Sequence, residues 1–283
     1  MVEFNPENLK GKPISEVAEQ AESAFQEGMT SLATASTIYG VLLKQRLNPY
    51  RRGFFRQMQW RADQRLGKHP LFYSQSGQDF FLYDRFFKDR RNGRFVEIGG
   101  YNGWSGSNCY FFEKIMNWRG VIVEASPSLI ERIRTVRSSE VVHAAISDRD
   151  GEAQFIEVMS GYTQMGGLAE HYSDEKISQV RADPRHKERK ITVPSLRLET
   201  LLQRYGLDQV DYCSIDVEGA ERSVLGDFDF SAFDISVFSI ENNSQGPQGS
   251  LRDILEPAGY VIVEVIGVDE IWVKRSLAER GAE

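Results

Sequence analysis

The chain has 283 residues, 41% of them hydrophobic, and a formal net charge of -7 at pH 7. That apolar share supports a substantial core in one large domain or one domain with an appendage, and the negative balance excludes general nucleic-acid binding, though not a local basic patch. The two cysteines, Cys109 and Cys213, lack a metal-type spacing and read as buried thiols; with no secretory leader and no apolar run long enough to span a bilayer, a cytoplasmic, reduced setting is the expectation.

Residues 1–70 read as a helical region distinct from the rest of the chain. Over 14–47 the apolar positions fall at helical spacing: Val17, Ala21, Ala24 and Phe25, then Leu32, Ile38 and Leu42. Asn48-Pro49 breaks the run, because the residue before a proline is pushed out of the α region. Residues 51–68 then carry Arg51, Arg52, Arg56, Arg61, Arg65 and Lys68 among Phe54, Phe55, Met58 and Trp60. Three readings stay open for this stretch: an amphipathic helix packed on its own domain with a solvated basic face, a peripheral membrane helix, or a dock for an acidic protein partner or substrate. The N-terminal helices could also form a homo-oligomer contact or a lid.

From Ser74 a strand–helix rhythm sets in over 71–283, which predicts a parallel sheet. A helix over 78–87 precedes a first strand at 95–98 and a helix at about 107–116. The second strand is 121–124, and Ser126-Pro127 opens a helix to about 136. The third strand is 141–145, with an added strand at 155–158. Residues 161–194 read as a long polar loop, whose charged run 181–190 is a solvated, flexible face. A helix at 198–205 leads to the fourth strand at 212–216, a helix starting at 220–225, the fifth strand at 235–241 and a helix at 251–258. Finally, 260–266 and 270–274 are joined by Gly267-Val268-Asp269, a connection short enough for a hairpin. A parallel sheet closed by an antiparallel hairpin is the seven-stranded Rossmann-like plan of methyltransferases, not that of dehydrogenases.

Within this frame the most telling segment is 95–103, with Glu97 followed by Gly99, Gly100 and Gly103. Glycine lets the backbone turn sharply and lie close to a ligand. The spacing is Glu97-x-Gly99-x-x-x-Gly103 rather than G-x-G-x-x-G, and an acidic group sits badly beside a pyrophosphate because like charges repel. It suits a cofactor with a cationic amino-acid end, such as S-adenosylmethionine. Glu124 closes the next strand, where a ribose diol would be gripped.

Six segments, 74–79, 95–103, 107–108, 123–127, 144–148 and Ile215-Asp216-Val217-Glu218-Gly219-Ala220-Glu221, together resemble the FkbM-type methyltransferases of the S-adenosylmethionine-dependent Rossmann-like class. The resemblance spans about 73–274 and leaves the N-terminal helices outside. Glu97 stands where the family usually has Asp, and Gly100 where it often has Ala. The resemblance implies that Glu97, Gly99 and Gly103 hold the methionine portion of the cofactor, that Glu124 accepts from the ribose hydroxyls, and that Ala145 and Ile146 with Ser147 line the adenine. Gln75, Ser76 and Gln78 would close over the cofactor, although Gln78 and Asp79 also suit a helix start. Asp216, at the end of the fourth strand, would sit beside the transferable methyl.

Asp216 with Glu241 and Asn242 at the next strand end is similar to the layout of cation-dependent O-methyltransferases, and three oxygen ligands suit Mg²⁺. Glu218 would help shape the site, and Glu221 suits the first turn of a helix. Of the four histidines, His171 is the candidate general base, in a stretch where Tyr162, Gln164, Met165 and Tyr172 could recognise a polyhydroxylated acceptor. The expected reaction is O-methylation of a sugar, glycan or small-molecule glycoside. The rivals are N- or carboxyl-methylation of a peptide or lipid head group, a scaffold that keeps the fold, and a nicotinamide-dependent dehydrogenase.

Overall fold

The computed structural model describes residue 9 and residues 11–26, 29–172, 174–242 and 249–280. The N-terminal region holds α1 (Ile14–Gln26), α2 (Met29–Leu42) and α3 (Pro49–Arg65). The expected single helix over 14–47 is therefore two helices; residues 27 and 28 between them lie outside the described residues. Leu32, Ile38 and Leu42 of α2 and Phe55 and Met58 of α3 share a core with Val17 and Ala21 of α1. The Asn48 side chain accepts from the Arg51 amide at 2.9 Å, and Pro49 takes the first helical position, where a missing N–H costs nothing.

The remaining helices are α4 (Gln78–Leu82), which runs into a π-helical turn at Tyr83–Phe87, α5 (Tyr110–Lys114), α6 (Pro127–Val136), α7 (Asp174–Arg181), α8 (Leu198–Arg204), α9 (Glu221–Leu225), α10 (Arg252–Leu255) and α11 (Arg275–Arg280). The strands are β1 (Arg94–Ile98), β2 (Arg119–Glu124), β3 (Glu140–His143), β4 (Ala145–Ile146), β5 (Gly151–Ser160), β6 (Gly167–Leu168), β7 (Lys187–Leu196), β8 (Gln209–Ile215), β9 (Asp234–Glu241), β10 (Tyr260–Ile266) and β11 (Asp269–Lys274). Helix α5 is shorter than the expected 107–116 because the Ser107 hydroxyl accepts from the amides of Cys109 and Tyr110, a side-chain cap that delays the first turn.

Seven strands form one sheet in the order β10-β11-β9-β8-β1-β2-β3. The pairs β9–β8, β8–β1, β1–β2 and β2–β3 are parallel, while β11 runs antiparallel to both β9 and β10. This is the expected methyltransferase sheet with its terminal hairpin. Both faces are buried, so the strands alternate between two apolar layers rather than between core and water. Val96, Ile98, Val121, Val123, Cys213 and Ile215 point to one layer, and Phe95, Ile122, Tyr212 and Val237 to the other. Both cysteines are buried, as read.

The stretch read as a long loop differs. Residues 187–196 are β7, the antiparallel partner of β5 from Gly151↔Ser195 to Ser160↔Lys187, in a second sheet of order β4-β7-β5-β6. The charged run 181–190 starts at the end of α7 and runs into this strand at Lys187, with Arg189 held on Glu157 and Arg181 on Glu188. Alternation along β7 is hidden because its outer half carries Lys187, Glu188, Arg189 and Lys190 in succession, and only the inner half buries Val193 and Ser195. The expected strand 141–145 splits for the same reason: the chain leaves the first sheet after His143, and Ala145 pairs with Ser195.

Helix α3 lies against the outer strand of the large sheet. A Cβ on Gly53 would come within 2.8 Å of Val265 Cγ1 and 3.0 Å of its carbonyl oxygen, so only glycine permits this crossing. Arg56 pairs with Glu264 at 2.6 Å, and the Tyr50 hydroxyl donates to Glu270 at 2.8 Å. The packed face of the basic stretch thus covers a sheet edge that would otherwise be open to another strand. Among the described residues, no helix is long and apolar enough to cross a membrane.

Candidate functional site

A cavity of about 220 Å³ opens at the carboxyl ends of β1, β2, β8 and β9, where ligands sit in open parallel sheets. Glu97, Gly99, Glu124, Ala145, Ile146, Asp216 and Glu241 all line it. Its floor exists because two strand ends approach closely. Gly99, at φ +89, lies so near β8 that a Cβ would sit 2.2 Å from the Asp216 carbonyl oxygen, and the Asp216 amide donates to the Ile98 carbonyl at 3.1 Å. Two non-glycine residues on the cavity wall, Tyr101 and Glu218, also have positive φ, +45 and +57. Such conformations cost energy and persist where the surroundings enforce them.

Glu124 has a defined cradle. Its Oε2 accepts from the Tyr101 amide and its Oε1 from the Ser126 amide, each at 2.7 Å. Burial pushes its carboxyl up to about 7; the bonds from Ser126, Tyr101 and Ala125 oppose that rise, and Glu157 adds to it. Phe155 and Leu168 of the second sheet complete an apolar slot beside Ala145, so that sheet forms one wall of the cavity. The slot is apolar, as a flat ring requires, and the carboxylate beside it suits a diol.

Glu97 is differently engaged. Its Oε2 lies 2.7 Å from Arg137 Nη1, and its Oε1 accepts from the Ser107 hydroxyl at 2.6 Å and the Cys109 amide at 3.2 Å. Arg137 also pairs with Glu113 at 2.6 Å and donates to the Gly103 carbonyl at 3.0 Å. Glu97 therefore ties down the loop after the glycine turn, and its charge is already met by a buried guanidinium. Gly103 does not line the cavity; a Cβ there would lie 2.8 Å from Val136 Cγ2, so its part is to let the turn pack on α6.

Opposite Glu124 the wall is acidic. Carboxylate oxygens of Asp216, Glu218 and Glu241 lie within 4.8 Å of one another. Asp216 is exposed at the bottom of the cavity, with Glu218 and Glu241 close beside it. Its carboxyl is held well above the usual range by its depth in the fold and then by Glu241, Glu218, Asp269 and Glu221. Burial and Glu241 likewise push Asp269 up to about 6, against bonds from Ser239, Gln78 and Asn108. Such a set of hard oxygen donors suits a divalent cation, which would remove the repulsion. Glu221 is elsewhere occupied: it accepts from the amides of Gly219 and Val217 and so shapes the turn before α9, as expected of a helix start.

Three sequence expectations need correction. Asn242 was expected beside Glu241 as a metal ligand, but it does not line the cavity; its amide donates to Glu270 at 2.9 Å, because successive strand residues face opposite ways. Glu218 takes the third position in the cluster. His171 was expected as a base, but it also lies off the cavity wall, its carbonyl 2.9 Å from where a Cβ of Gly219 would be and its Nε2 3.9 Å from Glu170. Gln78 was expected over the cofactor; instead it is buried, accepts from the Ser76 amide and donates to Asp269, while Gln75 lines the cavity. From the acceptor-recognition stretch Gln164 and Met165 reach the cavity, and Tyr162 and Tyr172 do not. Sequence reasoning missed Tyr101, whose hydroxyl lies 3.1 Å from Thr163, and the slot residues Phe155 and Leu168. The only signal for the slot was the added strand at 155–158, without its pairing.

A family model described as the methyltransferase FkbM domain matches residues 97–275. No curated protein matches the chain. Among solved structures, MtNAS in complex with MTA and tNA is 14% identical with a TM-score of 0.37, covering 97% of this chain and 91% of that one. A single-residue mutant of MtNAS in complex with S-adenosylmethionine is 14% identical with a TM-score of 0.35, covering 95% and 94%.

Proposed function

The chain belongs to the FkbM family of S-adenosylmethionine-dependent methyltransferases, and from that premise we propose that it methylates a hydroxyl of a sugar, glycan or small glycoside with the help of a divalent cation. The observation that carries this reading is the facing of two acidic walls across one cavity: Glu124 on one side, and Asp216, Glu218 and Glu241 on the other. S-Adenosylmethionine would supply a sulfonium methyl group, the O–C bond forming as the C–S bond breaks and S-adenosylhomocysteine leaves. The residues around it have separable tasks. Glu124, anchored by two backbone amides, would accept from the ribose hydroxyls, and the slot of Ala145, Ile146 and Phe155 would hold the adenine. Asp216 would orient the acceptor hydroxyl from the wall opposite Glu124, and the hydroxyl proton would leave to solvent as the oxygen takes up the methyl group. Mg²⁺ held by Asp216, Glu218 and Glu241 would lower the pKa of that hydroxyl. Orientation then supplies much of the rate, since the reaction is a single displacement.

The reading is tested by offering S-adenosylmethionine with nucleotide sugars, glycosides and lipid-linked glycans, with and without Mg²⁺. The expected product is an O-methylated glycan, with turnover lost on chelation. Transfer confined to amine or carboxyl acceptors and indifferent to chelator would replace it with N- or carboxyl-methylation, because an amine nucleophile needs no cation to activate it.

A further inference from the structure

Next to the cofactor cavity lies a second concavity, an open groove of about 580 Å³ between α3 and the loop after β1. The two share a wall made by Gln75, Ser105 and Gly106. Their chemistry is opposite. Among the described residues, the cavity is lined by five carboxylates, Glu97, Glu124, Asp216, Glu218 and Glu241, and by no Lys or Arg. Among the described residues, the groove is lined by Arg61 and Arg65 and by no Asp or Glu. In a chain with a net charge of -7 this is a local reversal of sign. Arg61 and Arg65 stand one helical turn apart on the exposed face of α3, and among the described residues Arg61 makes no hydrogen bond or ion pair.

The groove also presents aromatic faces. Trp104 is 42% exposed, unusual for so large an apolar ring, yet its turn is fixed because the Asn102 side chain accepts from the amides of both Trp104 and Ser105. Tyr73 and Phe72 form part of the floor. Trp60 holds the floor in place: its indole N–H donates to the Ser74 carbonyl at 3.2 Å, and a Cβ on Gly77 would lie 2.8 Å from its ring. An exposed ring on a rigid turn, lining the same groove as two arginines, is suited to a flat ring ligand that carries an anion.

We infer that this groove is a subsite for the remote part of the acceptor, and that the acceptor is an anionic sugar bearing a phosphate or a carboxylate. The inference rests on the transferase reading above and narrows its substrate class. Trp104 stacks on the sugar face, and Arg61 with Arg65 holds the anion.

The test uses the full chain and tryptophan fluorescence, with glucose 1-phosphate, methyl glucuronoside and neutral methyl glucoside as probes. A charge-assisted contact predicts that an anionic probe binds about ten-fold or more tighter than the neutral one at low salt. Arg61→Gln/Arg65→Gln should erase that preference while leaving S-adenosylhomocysteine affinity, measured by calorimetry, unchanged. Both substitutions are on an exposed helix face and keep the side-chain stem, so the fold is retained. Trp104→Ala, read by calorimetry because it removes the exposed fluorophore, should weaken all three probes. The tighter of the two anions assigns phosphate or carboxylate. Equal binding of charged and neutral sugars, or an anion preference that survives in the double variant, would overturn the inference, even with the cofactor bound normally. Binding of an anionic probe by a chain that fails to bind S-adenosylhomocysteine would keep the groove as a binding site and instead sink the transferase reading on which its acceptor role rests.

Discussion

At the scale of single residues, Glu124, Asp216 and Gly99 have different parts, and substitutions should separate them. Glu124 meets the backbone through two short bonds and faces the ring slot, so Glu124→Ala should weaken S-adenosylhomocysteine binding by about 10–100-fold, the range for a lost charged hydrogen bond. Calorimetry reads this directly, and unchanged affinity would remove Glu124 from the cofactor site. Asp216 lies on the opposite wall, so Asp216→Asn should keep cofactor affinity and lower kcat by roughly 100-fold or more. Normal turnover by that variant would exclude it as the orienting group. Gly99 is a matter of space and φ. Gly99→Ala would drive a Cβ into the Asp216 carbonyl, and an unfolding loss of about 2–4 kcal/mol is expected, measured in urea. Glu97, the acidic residue just ahead of the glycine turn, differs from all three, because its charge is answered by Arg137.

At the scale of elements, that buried pair joins the β1 end to α5 and α6. Arg137 bridges Glu97 and Glu113 and stacks over the rings of Phe95 and Tyr110, with its side chain fully buried. Arg137→Ala should cost about 3–5 kcal/mol, because two carboxylates would be left buried without their cation. Glu113→Gln, which leaves Glu97 paired, should cost less; equal losses would show that the two pairs stand or fall as one unit. None of this could be read from the sequence, since Arg137 follows a helix and looks like a solvated basic residue. What the sequence did carry was periodic. The seven strands, the hairpin at Gly267 and the strand-end acids Glu124 and Asp216 follow from apolar runs that end in a polar residue, because a sheet buried on both faces keeps such runs intact. The second sheet was hidden because β7 opens with four charged residues and its pairing with β5 is an interaction between distant segments. Asn242 and His171 were misplaced for a related reason: position along the chain gives proximity to a strand end, but the direction of a side chain depends on register.

At the scale of the whole molecule, the buried acids set how stability varies with pH. The Asp79 carboxyl, which accepts from the amides of Tyr73, Ser74 and Phe80, is raised by burial from 3.8 to about 6, and Glu124 is raised from 4.5 to about 7. Between the unfolded and folded values the native chain keeps protons that the unfolded chain has released. Stability from these groups is therefore fully present below about pH 4 and is lost as the pH rises through 6 and 7. Glu113 and Glu157 act in the other direction. Although burial works against them, Arg137 and the amide of Ser138 hold Glu113 below 4.5, while Ser126 and Arg189 hold Glu157 there, so their contribution is lost as the pH falls through those lowered values. The two trends meet on the acid side of neutrality. Tm without cofactor should peak near about pH 5 and decline by several degrees toward about pH 7.5, rather than stay flat over the neutral range. The growing negative charge of the chain adds to the decline, so the wild-type curve alone does not identify its source. Glu124→Gln removes one titrating group and should flatten the decline between about pH 5 and 7.5, while leaving the acid limb unchanged. A variant curve parallel to wild type over that range would show that Glu124 does not hold its proton in the native fold, and that the ribose side of the cavity is already charged before any ligand arrives.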